Sequence, residues 1–398
     1  MQKDTTVNIR TTGQSSIWSR NLIILAVAIF LLSLGTGLQN GINTNYMQQL
    51  GLTNALVLMQ SGIREIPGLI LMFLAALVMH LPLKWRAVAS VLLMGIGYAL
   101  YASIHSWTAL VVTSLIASLG FHLWMPLNNT LGLGLVSKEN SGKVLGTMAA
   151  VGALASMAGI GSILVFSSMF SLRVFAGIAG GIIILAAIVL TRLPRNIGET
   201  KKAQPRLLFK RRYWLYYVLL LFEGSRTQVF SAFNIMVLVY NYGLTAFQIS
   251  ILLLASGMVN FIFAQPLGRI LDKTGERITL TVGYIALALC FVGYALIDNV
   301  WFLGVMVIFI NLLVTLSMGL STYVNRIAPP EELTPTLSTG ISVNHISSVG
   351  MSFVAGALLT VVGYKVLCWG AVAIIMLSVP FAYAIRTQAP QQATEKDR

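Results

Sequence analysis

Residues 54–80 read NALVLMQSGIREIPGLILMFLAALVMH, an apolar run of membrane length interrupted by Arg64 and Glu65. A charge near the centre of a bilayer costs roughly 2.5–3.5 kcal/mol even on the lenient insertion scale, so such residues face a protein interior or a water-filled cavity. A second run, YWLYYVLLLFEGSRTQVFSAFNIMVLVY at 213–240, carries Glu223 and Arg226 in the same way. A chain that retains ionised side chains inside spanning segments needs neighbouring helices to shelter them, which points to a polytopic membrane protein.

Composition agrees. Hydrophobic residues make up 57% of the 398 and charged residues 10%, against roughly a quarter charged in a soluble domain. At ~20 residues per span, twelve segments are predicted, at about 18–40, 54–80, 85–104, 107–132, 145–168, 172–193, 213–240, 247–268, 277–297, 300–325, 337–362 and 364–386. The expected fold is all-α, with twelve transmembrane helices. The first run has no small-residue cleavage site after it and is read as a retained helix rather than a removed signal. Cys290 and Cys368 both fall in apolar segments, so no disulfide framework or redox role is expected.

The long polar connection, RLPRNIGETKKAQPRLLFKRRYW at 192–214, divides the chain. It predicts a six-helix bundle over 1–193, a basic cytoplasmic linker over 194–212 and a second six-helix bundle over 213–398. With both termini cytoplasmic, 22 of the 26 Lys and Arg residues fall on the inside and only Arg173 and Lys365 in outer loops. The positive-inside rule thus orients the chain, in the plasma (inner) membrane as a multi-pass protein. The net charge of +14 then reflects contact with anionic lipid headgroups and requires no nucleic acid. A monomer is expected.

The halves repeat. A shift of 192 residues carries Gly51, Leu52 and Thr53 onto Gly243, Leu244 and Thr245. The same shift carries Glu139, Leu145, Thr147, Val151 and Ser156 onto Glu331, Leu337, Thr339, Val343 and Ser348. Two pseudo-symmetric bundles of this kind are the layout of a carrier whose site lies between its repeats.

Residues 266–280 read PLGRILDKTGERITL. Here the chain resembles the major facilitator superfamily, whose cytoplasmic loops carry G-x-x-x-D-[RK]-x-G-[RK]-[RK]. Gly268, Asp272, Lys273, Gly275 and Arg277 match, and Glu276 replaces one basic residue. Gly268 would let two helices approach closely, and Gly275 suits a turn with positive φ. Asp272 could cap a helix or pair with Lys273 or Arg277. The resemblance implies that this loop helps hold one face of a carrier shut, a role carried to Asp272 and Arg277. The corresponding first-half stretch, AALVMHLPLKWRAV at 75–88, lacks the acid and both glycines.

Candidate binding residues follow from the buried charges. Glu223 lies ten residues into its helix, about 15 Å at 1.5 Å per residue, and Arg226 shares its face. Pro67 predicts a kink beside Arg64 and Glu65. A desolvated carboxylate at Glu65 or Glu223 could exchange protons near neutral pH, and Arg64 or Arg226 could hold a carboxylate, phosphate or sulfonate. Each pair has an alternative reading as a buried structural ion pair. His345 has the titration range for coupling but could equally be a packing histidine; His122 is a lesser candidate. Gln228 and Asn234 share a helix with Glu223 and Arg226 and could line a cavity, or bond between helices. Trp124 and Phe121 read as packing before cavity wall. Small residues in GTMAAVGALASMAGIGS at 146–162 suit close helix packing.

No hydrolase, metalloprotease or nucleotide-binding pattern and no Cys/His ligand spacing is present, so neither an enzyme, a metal centre nor a cofactor is expected. The function read from the sequence is secondary active transport of a small organic anion or metabolite by alternating access, coupled to protons. The alternative is export of amphiphilic drugs or metabolites by proton antiport. An embedded enzyme or a channel ranks below both.

Overall fold

A glycine and a threonine make the first joint of each half. Gly51 (φ 78°) and Gly243 (φ 69°) turn the chain in the left-handed region that a side chain disfavours. Two residues later Thr53 and Thr245 cap the next helix by accepting from the backbone N–H of Leu56 and Gln248. The repeat seen in the sequence is therefore a repeat of local structure: helix, left-handed glycine, threonine cap, helix. Ser19, Ser106, Ser171 and Asn299 cap further helices in the same manner.

The structure is a computed structural model, and it describes residues 18–71, 78, 80–135, 141–195, 197 and 209–386. Most of the central linker lies outside these residues. The helices are α1 (Arg20–Gln49), α2 (Asn54–Ile63, resuming after a break as Ile66–Leu69), α3 (Leu83–Leu100), α4 (Trp107–Gly134), α5 (Ser141–Phe166) and α6 (Leu172–Leu190). The second half follows with α7 (Trp214–Tyr242), α8 (246–274), α9 (276–296), α10 (Val300–Ile327), α11 (330–362) and α12 (364–383).

Among the described residues eight continuous helices are long and apolar enough to cross a membrane. Two of these are double: α8 runs into α9 with only Gly275 (φ 78°) breaking the helix, and α11 runs into α12 across Gly363 (φ 73°). With α2 and α7 the number of spans is twelve, as the hydropathy pattern predicts. The segment between α8 and α9, expected as a loop of several residues, is thus helical up to Thr274.

Packing groups the helices into two bundles. In the first, α1 packs against α5 and α6, and α3 against α4 and α6. Small residues permit this: Gly159 faces the backbone of Leu34, and Gly37 faces that of Ser156. In the second, α7 packs along α11–α12, which also meets α8–α9. The bundles touch through α2 against α7 and α11, and α5 against α8. Large apolar side chains such as Leu185, Leu289 and Leu377 are more than half exposed on the perimeter, the surface that lipid covers. Polar Gln39, Gln60, Asn234, Glu223 and Arg226 are buried.

Three side-chain hydrogen bonds close the face that carries the α1–α2 and α7–α8 turns. Asn45 Nδ2 donates to the Leu244 carbonyl (2.8 Å), Gln48 Nε2 to the Val239 carbonyl (3.3 Å), and Tyr240 OH to the Leu52 carbonyl (2.7 Å).

Candidate functional site

Helix α2 breaks where its charges stand. Pro67 has no N–H to give to a carbonyl one turn back, and the chain passes through a turn at Arg64 and Glu65, with the Glu65 N–H donating to the Gly62 carbonyl at 3.0 Å. Ser118 of α4 donates its hydroxyl to the Arg64 carbonyl and so satisfies part of the interrupted backbone.

The break sends the two charges in different directions. Arg64 Nη2 donates to the hydroxyl of Tyr98 (3.2 Å), which packs edge-on to Tyr101. Among the described residues Arg64 makes no salt bridge. Glu65 turns toward two imidazoles: its Oε2 lies 2.9 Å from His345 Nδ1 on α11 and 3.5 Å from His122 Nε2 on α4. The two rings pack edge to face with centroids 5.2 Å apart. A carboxylate of one bundle thereby contacts an imidazole of the other.

Both charges border a cavity of about 400 Å³ between the bundles. Its wall comprises Asn40, Asn43 and Thr44 of α1, Gln60, Ser61, Arg64 and Glu65 of α2, Phe121 of α4, Ala232 and Ile235 of α7, and Leu253 of α8. Gln60 is anchored by donating to Ser114 Oγ. Met47 and Val57 complete the lining, so the first-bundle side carries all the polar groups beside a few apolar ones, and among the described residues the second-bundle side is apolar.

Glu223 and Arg226 form a separate cluster. They pair with each other one helical turn apart, both nearly inaccessible. The Arg226 guanidinium lies over the ring of Tyr284 of α9, 3.7 Å from its centroid, and Nη1 reaches Ser378 Oγ of α12 at 3.4 Å. Neither residue borders the inter-bundle cavity. Asn234 is buried with its Oδ1 unpaired, and the side chain of Gln228 lies outside the described residues.

The loop motif is arranged differently from expectation. Gly275 makes the positive-φ turn, but a Cβ at Gly268 would meet no atom within 4 Å, so no close helix approach requires that glycine here. Asp272 and Lys273 are exposed, and Arg277 stacks on the ring of Tyr383 at 3.8 Å. The buried acid of this loop is Glu276, fully inaccessible and 2.8 Å from Arg326 Nε at the end of α10. The ion-paired acid of this loop is thus Glu276, the residue that departs from the pattern, while Asp272 stands at the surface.

Of the sequence-predicted candidates, the fold brings Glu65 and His345 into contact and sets Arg64 and Glu65 on the cavity wall. Sequence reasoning ranked His122 low, because a histidine two helices away from Glu65, with its other neighbour in the opposite bundle, carries no local sign of its partners.

Comparison with known proteins agrees with this architecture. The Major Facilitator Superfamily profile matches residues 25–334. No curated protein matches the chain. Among solved structures, a mutant form of the nucleoside transporter NupG is similar with a TM-score of 0.77 and 15% identity, over 92% of this chain and 100% of that one. A bacterial homologue of the human lysosomal transporter Spinster, in an inward-facing and unoccupied conformation, has a TM-score of 0.69 and 13% identity, over 93% and 97%. A D-xylose–proton symporter has a TM-score of 0.70 and 11% identity, over 92% and 97%. With twelve helices in two pseudo-symmetric bundles and a profile match over most of its length, this chain is a membrane transporter, not an enzyme, and belongs to the Major Facilitator Superfamily.

Proposed function

We propose that the chain is a secondary active carrier of a small organic anion, bound in the inter-bundle cavity by Arg64. The observation that carries this reading is the setting of that guanidinium. It is a permanent cation bordering a cavity of about 400 Å³, oriented by the Tyr98 hydroxyl and without a salt bridge among the described residues. Such a group attracts a carboxylate or phosphate, and a planar fork binds either one bidentately. Asn40, Asn43 and Gln60 add donors and acceptors for the rest of a polar solute. This wall suits a metabolite better than an amphiphilic drug, whose apolar body would leave the amides unpaired.

Alternating access follows from the two-bundle layout. The hydrogen bonds across the α1–α2 and α7–α8 turns describe a state closed on that face. Placing basic loops in the cytoplasm makes it the outer face of a plasma (inner) membrane protein with both termini inside. The boundaries 1–193, 194–212 and 213–398 are the proposed extents of bundle, linker and bundle. A proton gradient is the proposed driving force, supported by likeness in fold to a D-xylose–proton symporter. Glu223 and Arg226, sealed among α7, α9 and α12, are assigned to structure rather than to the solute.

The test is uptake into proteoliposomes from a panel of organic acids, each paired with its neutral amide or ester. Acids should compete and their neutral partners should not. Arg64→Gln should raise KM for the acids at least tenfold, while Arg64→Lys keeps part of the affinity. An imposed inward proton gradient should accelerate uptake and an uncoupler should abolish that effect. Unchanged KM in Arg64→Gln would overturn the anion site.

A further inference from the structure

We propose that Glu65, His122 and His345 form a binding site for a first-row divalent transition-metal ion, with Zn²⁺ as the reference ion. The site goes beyond the anion reading and does not depend on which solute Arg64 holds.

Convergence is the first argument. Three helices from two bundles each deliver one ligand atom, and all three atoms lie within 4.8 Å of one another. Bonds of 2.0–2.2 Å to a tetrahedral ion separate ligand atoms by about 3.3 Å. The carboxylate oxygen here is 2.9 Å from one imidazole nitrogen and 3.5 Å from the other, so two edges of the ligand triangle already stand near that spacing, and the imidazole nitrogens lie within 4.8 Å of each other.

Orientation is the second. His122 Nδ1 lies 2.9 Å from the Ser118 carbonyl, an acceptor that fixes the proton on Nδ1. In the neutral ring that arrangement turns the Nε2 lone pair toward the Glu65 carboxylate, the form in which an ion would be held. A ligating histidine whose far N–H is tied to a carbonyl is the recurrent outer shell of metal sites. Ser118 is itself tied, through its hydroxyl, to the break in α2 beside Glu65.

Room is the third. Gly68, one turn past Glu65, faces both rings. A Cβ there would lie 2.6 Å from His122 Nε2 and 2.8 Å from His345 Cε1, so the missing side chain lets two imidazoles stand together. Two imidazoles and one carboxylate select Zn²⁺ and its first-row neighbours over Mg²⁺ and Ca²⁺. Glu65 borders the cavity, so a fourth position on the ion would open toward the solute. Because His345 belongs to the other bundle, a bound ion would join the two.

The test needs no transport. The chain has four histidines, so the two outside the site, His80 and His105, provide controls. Detergent-purified protein should bind one Zn²⁺ per chain by calorimetry and give the visible d–d band of low-coordinate Co²⁺. His122→Ala and His345→Ala should each weaken binding at least tenfold, and the His80→Ala/His105→Ala variant should bind normally. X-ray absorption on the Zn²⁺-loaded wild-type protein should show two imidazoles and oxygen, a readout independent of how well any variant folds. No stoichiometric binding to the wild type, a sulfur or all-oxygen shell, or binding that survives in folded His122→Ala/His345→Ala would overturn the site. Each of those results would leave the Arg64 reading untouched.

Discussion

The guanidinium of Arg226 lies 3.7 Å from the ring centroid of Tyr284, so a cation on α7 is covered by an aromatic face on α9 while Glu223 neutralises it from one turn away. Removing one partner of such a pair leaves a buried charge uncompensated, at a cost of about 3–5 kcal/mol. Glu223→Gln should therefore lower the midpoint of thermal unfolding sharply in detergent. Glu223→Gln combined with Arg226→Met should recover much of the loss, because no orphaned charge remains. Tyr284→Leu should cost about 1 kcal/mol, and Tyr284→Phe less, since it keeps the ring face beneath the guanidinium. Equal loss in the single and double variants would show that the pair does not act as a unit.

The loop between α8 and α9 gives a second contrast. Glu276 is inaccessible and paired, whereas Asp272 is exposed. Glu276→Gln should destabilise by about 1–3 kcal/mol, while Asp272→Asn should stay within about 0.5 kcal/mol. Unfolding midpoints of the two variants, measured side by side, decide which acid is the latch of this half.

Closure of the turn face can be measured directly. Tyr240→Phe deletes one of the three bonds across it, worth about 1 kcal/mol, or roughly a fivefold shift in the ratio of open to closed states. Spin labels at Gln49→Cys and Phe247→Cys should report a larger long-distance population in Tyr240→Phe. Cys290 and Cys368 are buried and leave the introduced cysteines as the reactive pair. An unchanged distance distribution would show that this bond does not hold the face.

Acid should release the end of the linker. Lys210 Nζ lies 2.8 Å from Glu332 Oε1, and Arg212 and Tyr213 bond the other oxygen. With Lys210 foremost, these donors hold the Glu332 carboxyl down at about 2, from an ordinary 4.5. A depressed carboxyl contributes its stabilisation in full above the unfolded value and loses it as pH falls through the folded one. A fluorophore on Arg211→Cys should thus keep a constant anisotropy from pH 8 to 5, then lose it between about 4.5 and 2. In Glu332→Gln the anisotropy should be low throughout and show no such step.

What could be read in advance follows from the solvent. Lipid cannot hydrogen-bond the backbone, so lipid-exposed spans must be apolar helices and a break such as that in α2 survives only where protein buries it, and the pattern marks even the junction of α11 and α12 at Gly363. Helix continuation outside the membrane obeys a weaker rule. The polar residues 269–274 are as compatible with helix as with loop, and burial of Leu271 extends α8 through them. Arg64 and Glu65 stood out because their cost in an apolar run is large. The meeting of Glu65 with His122 and His345 depends on how three helices pack, which no local spacing encodes. Glu276 looked like a missing basic residue because its partner, Arg326, stands at the far end of another helix.

The clasp across the turn face has one more implication. In all three bonds a side chain grips a main-chain carbonyl, at Leu244, Val239 and Leu52, an acceptor that every amino acid supplies equally. Half of each grip is therefore immune to mutation. Sequence drift at the gripped positions can retune size and shape while the fastening persists, and only Asn45, Gln48 and Tyr240 carry the hereditary burden of keeping that door shut.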